Sequence, residues 1–430
     1  MKYPILTAIV LAASISATAS EWTLDSCITY AVDNNITVRS RAIDKMTGEY
    51  NVTEAKDGFL PQLAASASQS FNFGRGLTSQ NTYANRNTSN FQWGAQLSLP
   101  IFQGLSAIRQ TDYAKASLRA IVEEYEAAKE NVTLNVIAQY LQVLYCRELH
   151  EVAINQAELS KTELERQQGL LEAGKIPEID MLNAESQLAQ DELSVVTTNN
   201  NYVMALVDLA QLLQLEDVEG FSVAPLADES GFLLSPDQVY ANALAHNHGV
   251  IAQRERINAA DKYISLARTG MIPRLSFNAG VGSSYYTVSG FDSQSFGGQM
   301  KDNFNTYLGL SLNIPIFDAF STRNAVRKAK VQKLSAQLQY ESTRTDLFKA
   351  IQQAYYEATG AQKRLETGIV AEHATEQTFL ATKEKYNLGR ATPTDYETAK
   401  TNHLRAVSER VQAKYEYMLR TRILDFYNRH

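Results

Sequence analysis

The 430-residue chain has nine prolines, two cysteines and no excess of basic residues, with 40 Lys plus Arg against 47 Asp plus Glu. Each shortage excludes something. Cys27 and Cys146 alone cannot build a disulfide framework or a four-ligand zinc site. A formal charge of −7 argues against a protein that coats nucleic acid, which would show a basic stripe. Beyond the first twenty residues no stretch approaches 18 uncharged apolar positions, so the mature chain offers no membrane-spanning helix. A closed barrel stays open, because its strands carry a far weaker signal. Catalytic motifs are missing too: the six histidines show no HExxH spacing, and there is no Gly-x-Ser-x-Gly elbow. Gly169 to Lys175 has the spacing of a phosphate loop, but Ile176 stands where magnesium needs Ser or Thr, and no strand precedes it. That segment reads as a helix end. The chain is expected to be no enzyme and to need no metal or cofactor. With 44% apolar and 20% charged residues it is neither disordered nor collagen-like.

What is present begins with a secretory leader over 1–20. Lys2 supplies its positive end, Ile5 to Ile15 its apolar stretch, and Ala17-Thr18-Ala19 a small-residue cleavage site. Cys27 follows an acidic Leu24-Asp25-Ser26 well downstream, so it is not read as a lipidation site. The mature chain is then written twice. Leu99-Pro100-Ile101-Phe102 returns as Ile314-Pro315-Ile316-Phe317, 215 residues on, and Leu60-Pro61 returns as Ile272-Pro273. Gly174 and Asp180 return as Gly389 and Asp395; Ala31 and Asn35 return as Ala243 and Asn247. Ordered anchors at a near-constant offset mark an internal duplication. The expected repeats are 21–216 and 237–430, joined by a linker over 217–236 that contains Pro225, Gly231 and Pro236.

Each copy follows one plan. A helical segment (about 24–58 and 236–271) ends just before a proline. Period-2 stretches follow at about 63–73, 89–101, 275–285 and 306–317, separated within each copy by long polar loops. In the clearest of them Phe91, Trp93, Ala95, Leu97 and Leu99 alternate with Asn90, Gln92, Gly94, Gln96 and Ser98. Then come 76 proline-free residues between Pro100 and Pro177, and 77 between Pro315 and Pro393. Apolar residues there recur every three or four positions, as in Val132, Val136, Tyr140 and Leu144. Seventy helical residues would extend on the order of 105 Å. A Gly/Pro turn ends each long helix, and a second helix returns to about 215 or 427.

Four strands of about the length a tilted membrane strand needs cannot close a barrel, the smallest of which have about eight. Symmetric assembly would complete it, with eight strands from two copies or twelve from three. Alternation alone does not identify the solvent, so a soluble sheet with one wet face is the other reading, in a secreted or periplasmic coiled-coil interaction protein without a pore.

The duplicated plan of helix, strand pair, long helix, Gly turn and return helix resembles the TolC family of Gram-negative outer-membrane efflux proteins. The junctions Leu99–Phe102 and Ile314–Phe317, and Tyr386 with Gly389 and Asp395, are similar to that family's motifs. The resemblance covers essentially the whole mature chain. It implies a mainly α fold with a membrane β-barrel: a homotrimer whose four strands per protomer form a twelve-stranded barrel, continued by a tunnel of long helical hairpins. It implies a passive exit duct in the outer membrane with a long periplasmic extension. Its partners would be outer-membrane lipid, a periplasmic adaptor and an inner-membrane transporter of an efflux or type I secretion system. Phe91, Trp93, Leu97 and Leu99 would then meet lipid, with Phe71, Phe73, Tyr285 and Tyr286 as interfacial aromatics, while Asn90, Gln92, Gln96, Ser98, Ser276, Asn278 and Asn313 would face water.

Carried over position by position, Asp180 and Tyr386 resemble partners in a contact closing the periplasmic aperture, and Asp395 an inner acidic ring. The family's tip arginine aligns with Ala391, and Arg390, one residue before, could reach the same carboxylate; Thr398 stands at the next acidic position. Gly174 and Gly389 would form the tip turns on which an adaptor docks. Asp180 and Asp395 also suit a simpler role at the start of a return helix, where acids favour the helix dipole.

Overall fold

The computed structural model describes residues 21–77, 82–85, 87–218, 220–227 and 234–429. The leader and Gly231 lie outside the described residues. Helices α1 (Leu24–Asn34) and α2 (Ile36–Asp57) precede strand β1 (Gln62–Asn72), a short hairpin of β2 (Arg75–Leu77) and β3 (Tyr83–Asn85), and strand β4 (Thr88–Phe102). Helix α3 (Ser106–Glu172) has 67 residues and returns as α4 (Glu178–Leu213). The second copy gives α5 (Pro236–His246), α6 (His248–Ala267), a 3-10 turn (Arg268–Met271), β5 (Arg274–Val288), α7 (Phe296–Asp302) and β6 (Asn305–Asn313). Helix α8 (Ser321–Asn387), again 67 residues, and its return α9 (Pro393–Arg429) complete it. No described helix is long and apolar enough to cross a membrane.

Three details depart from the sequence-based expectation. Each first helical segment is broken in two, at Asn35 and at Asn247, the paired asparagines of the duplication. The Asn35 side chain accepts from the Thr37 amide (2.9 Å) and donates to the Leu212 carbonyl (3.0 Å), so one amide caps the new helix and ties it to α4. The polar loops are not structureless: the first contains β2 and β3, the second α7. Strand β6 ends at Asn313 rather than 317, before Pro315, which has no N–H to donate, whereas β4 runs through Pro100 with a register shift there.

The chain forms two compact units. One comprises residues 43–124 and 249–343 and holds the antiparallel four-stranded sheet β1-β4-β5-β6. Residues paired across strands share a face, so the register sorts the side chains. Leu63, Leu97, Ala279 and Leu308 form one row; Ala64, Gln96, Gly280 and Tyr307 form the adjacent row on the opposite face. The apolar face continues through Ala65, Ala95 and Val281, the polar face through Ser66, Gly94, Gly282 and Asn305. Ser276, Asn278, Gln92, Asn90 and Asn313 all fall on the polar face. Of the expected interfacial aromatics, Tyr285 is paired with Phe91 on the apolar face, and Tyr286 with Asn90 on the polar one. The period of two allows no other outcome for neighbouring residues.

Helix α7 closes the sheet where β6 falls short. Gln299 accepts from the Tyr286 amide and donates to its carbonyl (both 3.0 Å), and Asn303 donates to the Ser284 carbonyl at 2.7 Å. Side-chain amides thus replace the missing ladder partners. Phe296 of α7 packs its ring on Phe91 and Tyr285.

The other unit comprises the residues up to 42 with 125–248 and 344–430. Its core is built from α1, the middle of α3 and the end of α4: Cys27, Val136, Tyr140, Leu144, Leu209 and Leu213 are fully buried. Each large apolar side chain so buried contributes roughly 1.5–3 kcal/mol. Cys27 and its repeat partner Val239 are both buried, and burial pushes the Cys27 thiol up to about 12, so it packs as a small hydrophobe. The linker is strapped onto this core. Trp22 and Val223 form a parallel bridge, the Tyr140 hydroxyl donates toward the Ala224 and Trp22 carbonyls (2.7 and 3.0 Å), and Arg147 donates to the Val223 carbonyl.

Candidate functional site

The hairpin tips are built by helix termini. Gly174 and Gly389 adopt left-handed φ values of 67° and 70°. Each closes a six-to-one turn: the Lys175 amide donates to the Leu170 carbonyl, and the Arg390 amide to the Lys385 carbonyl. Both are Schellman ends, in which glycine bears the positive φ without a Cβ penalty. The phosphate-loop spacing at Gly169–Lys175 is therefore the end of α3.

The restarts differ between copies. Thr392 and Asp395 form a reciprocal capping box before α9. The Asp395 amide donates to Thr392 Oγ1 (3.1 Å), while the Asp395 carboxylate accepts from the Thr392 amide (3.0 Å) and hydroxyl (2.7 Å). These bonds hold the Asp395 carboxyl below the usual range. Asp180 lies half-buried in the first turn of α4, whose cap position, Pro177, has no side-chain bond. Both acids thus sit where the helix dipole favours them. Thr392→Ala should cost about 1 kcal/mol of local helix stability, read as faster hydrogen exchange at the Asp395 and Tyr396 amides only.

Tyr386 is placed otherwise than its expected pairing with Asp180. It lies buried in the last turn of α8, and its hydroxyl donates to Glu163 Oε1 of α3 at 2.8 Å and also bonds Gln167. Arg166 grips the same carboxylate through two nitrogens (2.7 and 2.9 Å), with its guanidinium 4.2 Å from the centre of the Tyr386 ring. Tyr396 of α9 stacks on Tyr386 at 4.9 Å, and Phe379 closes the cluster. Burial pushes the Glu163 carboxyl upward, but bonds from Arg166 and Tyr386 and the Arg166 charge outweigh it, so the group sits below its ordinary value of 4.5. The Tyr386 phenol is raised, first by burial and then by that carboxylate, so it stays a donor. Arg390 and Asp395 are exposed at the tip, and the Asp395 carboxylate is bonded to Thr392 of its own turn.

A second cluster, which sequence reasoning missed, lies one helical turn away. Lys400 of α9 is 2% exposed, and its ammonium donates to Ser160 Oγ of α3 at 2.7 Å. Ser160 in turn donates to Asp191 of α4, whose Oδ2 is 3.6 Å from Lys400 Nζ. Gln156 and Gln187 donate to the remaining positions of the Asp191 carboxylate, and Glu397 lies 3.3 Å from Lys400 Nζ. The signal was in the sequence. Gln156, Ser160, Glu163 and Gln167 follow the helical spacing that carries Val132, Val136 and Tyr140 earlier in α3. The buried face of one helix changes from apolar to polar toward its tip.

Two copies of one plan, an open sheet with one apolar and one polar face, and long helical hairpins with hydrogen-bonded tips define a channel-forming class of exported protein. The model of the outer membrane efflux protein family matches residues 28–214 and again 239–424. The chain belongs to the outer membrane efflux protein family. It is 22% identical to the outer membrane efflux protein BepC of Brucella suis biovar 1 (strain 1330) over 92% of this chain and 83% of BepC. It is 22% identical to the outer membrane protein TolC of Escherichia coli (strain K12) over 90% of this chain and 78% of TolC. Its fold is that of the CmeC outer membrane channel of Campylobacter jejuni, with a TM-score of 0.79 at 19% identity over 94% of this chain and 85% of CmeC. The protein is an outer-membrane efflux or secretion channel, and its relatives are channels rather than enzymes.

Proposed function

We propose that three copies of this chain form a passive outer-membrane exit duct fed by an inner-membrane transporter through a periplasmic adaptor. The observation that carries this reading is the sheet. It is amphipathic across all four strands, and among the described residues β1 and β6 each have an unpaired edge. An open edge in hydrocarbon leaves backbone groups unsatisfied, so the sheet has to continue into another copy. The apolar rows would face lipid and the polar rows a water-filled bore. Residues 275–288 of β5 carry no charge, in keeping with a weakly discriminating pore.

The same reading divides the chain into a leader (1–20), repeats over 21–216 and 237–430, and an equatorial linker over 217–236. It assigns Asp180, Tyr386, Arg390 and Asp395 to the periplasmic aperture and the turns at Gly174 and Gly389 to adaptor docking. Asp180 and Arg390 would act between neighbouring protomers, since Tyr386 is engaged by Glu163 inside its own.

The test is reconstitution. Protein extracted from outer membranes in detergent should run as a heat-dissociable trimer and give discrete conductance steps in planar bilayers. Asp180→Ala should raise the open probability without changing the amount of trimer. A water-soluble monomer that needs no amphiphile would sink the duct, and an unaltered D180A channel would remove Asp180 from the aperture.

A further inference from the structure

We propose that Lys400 is a positioning residue of the tip, a buried ionic latch that holds the start of α9 against the α3–α4 hairpin and sets how readily the aperture opens. This inference rests on the duct reading and assigns a determinant of opening away from the aperture itself.

Lys400 meets both helices of the first hairpin at once. It reaches α3 directly through Ser160, and α4 through Asp191, with Ser160 relaying between them. The Asp191 carboxylate also accepts from Gln156 of α3 and Gln187 of its own helix, so each of its oxygens has a donor. Further up the bundle the hairpins are joined by Arg410 and Lys414 of α9 on Glu148 of α3 (both 3.2 Å), side chains about one-fifth exposed. Lys400 is the far more buried of these links.

A latch of this chemistry differs from apolar glue in what separation costs. Parting an apolar seam exposes surface at about 25 cal/mol per Å². Parting a buried ion pair returns both charges to water, and that hydration offsets much of the lost attraction. A polar seam therefore holds a fixed register while closed and separates at modest cost. Removing only one partner is different, because the charge left behind is unpaired and gains by opening to water. Opposite effects of single and double substitutions follow.

The experiment uses the full-length trimer in planar bilayers at neutral pH, with trimer content measured on unheated gels. Lys400→Met should raise the open probability about tenfold, a shift of 1.4 kcal/mol, and Asp191→Leu, which leaves Lys400 only the more exposed Glu397 as its carboxylate, should raise it in the same direction. The double variant K400M/D191L removes both members of the buried pair and leaves only the charge of Glu397, whose side chain is 36% exposed and reaches water, so it should return to within about twofold of wild type, the non-additivity of a coupled pair. Lys400→Arg should behave as wild type. Intact K400M trimers with wild-type open probability, or a double variant whose effect is the sum of the singles, would overturn the latch. Should K400M fail to assemble, Ser160→Ala removes only the relay and should raise the open probability about threefold, roughly 0.7 kcal/mol on the same scale; an unchanged S160A channel overturns the proposal. If wild-type protein itself gives no conductance, the duct reading fails instead.

Discussion

Gly104→Val is expected to cut formation of the proposed trimer more than tenfold. Gly104 follows β4, and with Leu105 it forms a consecutive left-handed pair (φ 62° and 65°) that turns the chain from strand into α3. The second copy repeats the device 215 residues on, at Ala319 and Phe320 (φ 52° and 63°). What sets Gly104 apart is space. A Cβ there would lie 2.9 Å from Ile272 Cβ and 3.1 Å from the Ile272 carbonyl oxygen. Ile272 immediately precedes Pro273 and β5 and ends the 3-10 turn by donating its amide to Thr269, so its backbone cannot retreat. Left-handed backbone costs a branched residue roughly 1–3 kcal/mol, and overpacking adds about as much again. Outer-membrane fractions of G104V should contain less than a tenth of the wild-type trimer. Ala319→Gly, which relieves a positive φ, should assemble at least as well as wild type. Normal trimer from G104V would show that the turn tolerates a side chain.

Tyr386→Phe is expected to loosen the tip by about 1.5–3 kcal/mol, the range for a hydrogen bond to a charged group. The Tyr386 hydroxyl is the inter-hairpin donor to Glu163, whereas Arg166 and Gln167 lie on the same helix as that carboxylate. Expressed wholly in opening, that loss is a roughly 10- to 150-fold change in the open–closed equilibrium. The link should also depend on pH. The Glu163 carboxyl is depressed in the folded protein, so its contribution is fully present above its unfolded value near 4.5 and disappears as pH falls through the lower folded value. The tip should open more readily in acid, and Glu163→Gln should remove part of that dependence. The decisive comparison is open probability for wild type, Y386F and E163Q at pH 7 and pH 4. If Y386F matches wild type at pH 7, the contact is not one that opening breaks.

The tip also shows why a motif was easier to locate than its partner. Tyr386, Gly389 and Asp395 are local, within ten residues of one another, and their turn chemistry can be read in order along the chain. The partner of Tyr386 comes from α3, more than two hundred residues away. Asp180 is not marked by spacing, and the core register that Glu163 shares along α3 does not say which residue of α8 it meets. Lys400 escaped notice for a related reason: a lysine in a long charged helix reads as solvent-facing, and only the packing of three helices makes it buried. The polar run Gln156, Ser160, Glu163 and Gln167 was the readable clue, because it continues the core register of α3.

By itself the sequence determined whatever depends on neighbours along the chain: the duplication, the period-2 strands, the proline-free helices and the glycine turns at their ends. Such features arise from local sterics and from periodicities of two and 3.6 residues, which a linear string displays in full. Only the tertiary structure decided which acid Tyr386 meets, that Lys400 is sealed from water, and that α7 finishes the sheet where β6 stops. Those outcomes depend on the register between helices and strands far apart in the chain, where a shift of one residue exchanges the buried side chain for the exposed one.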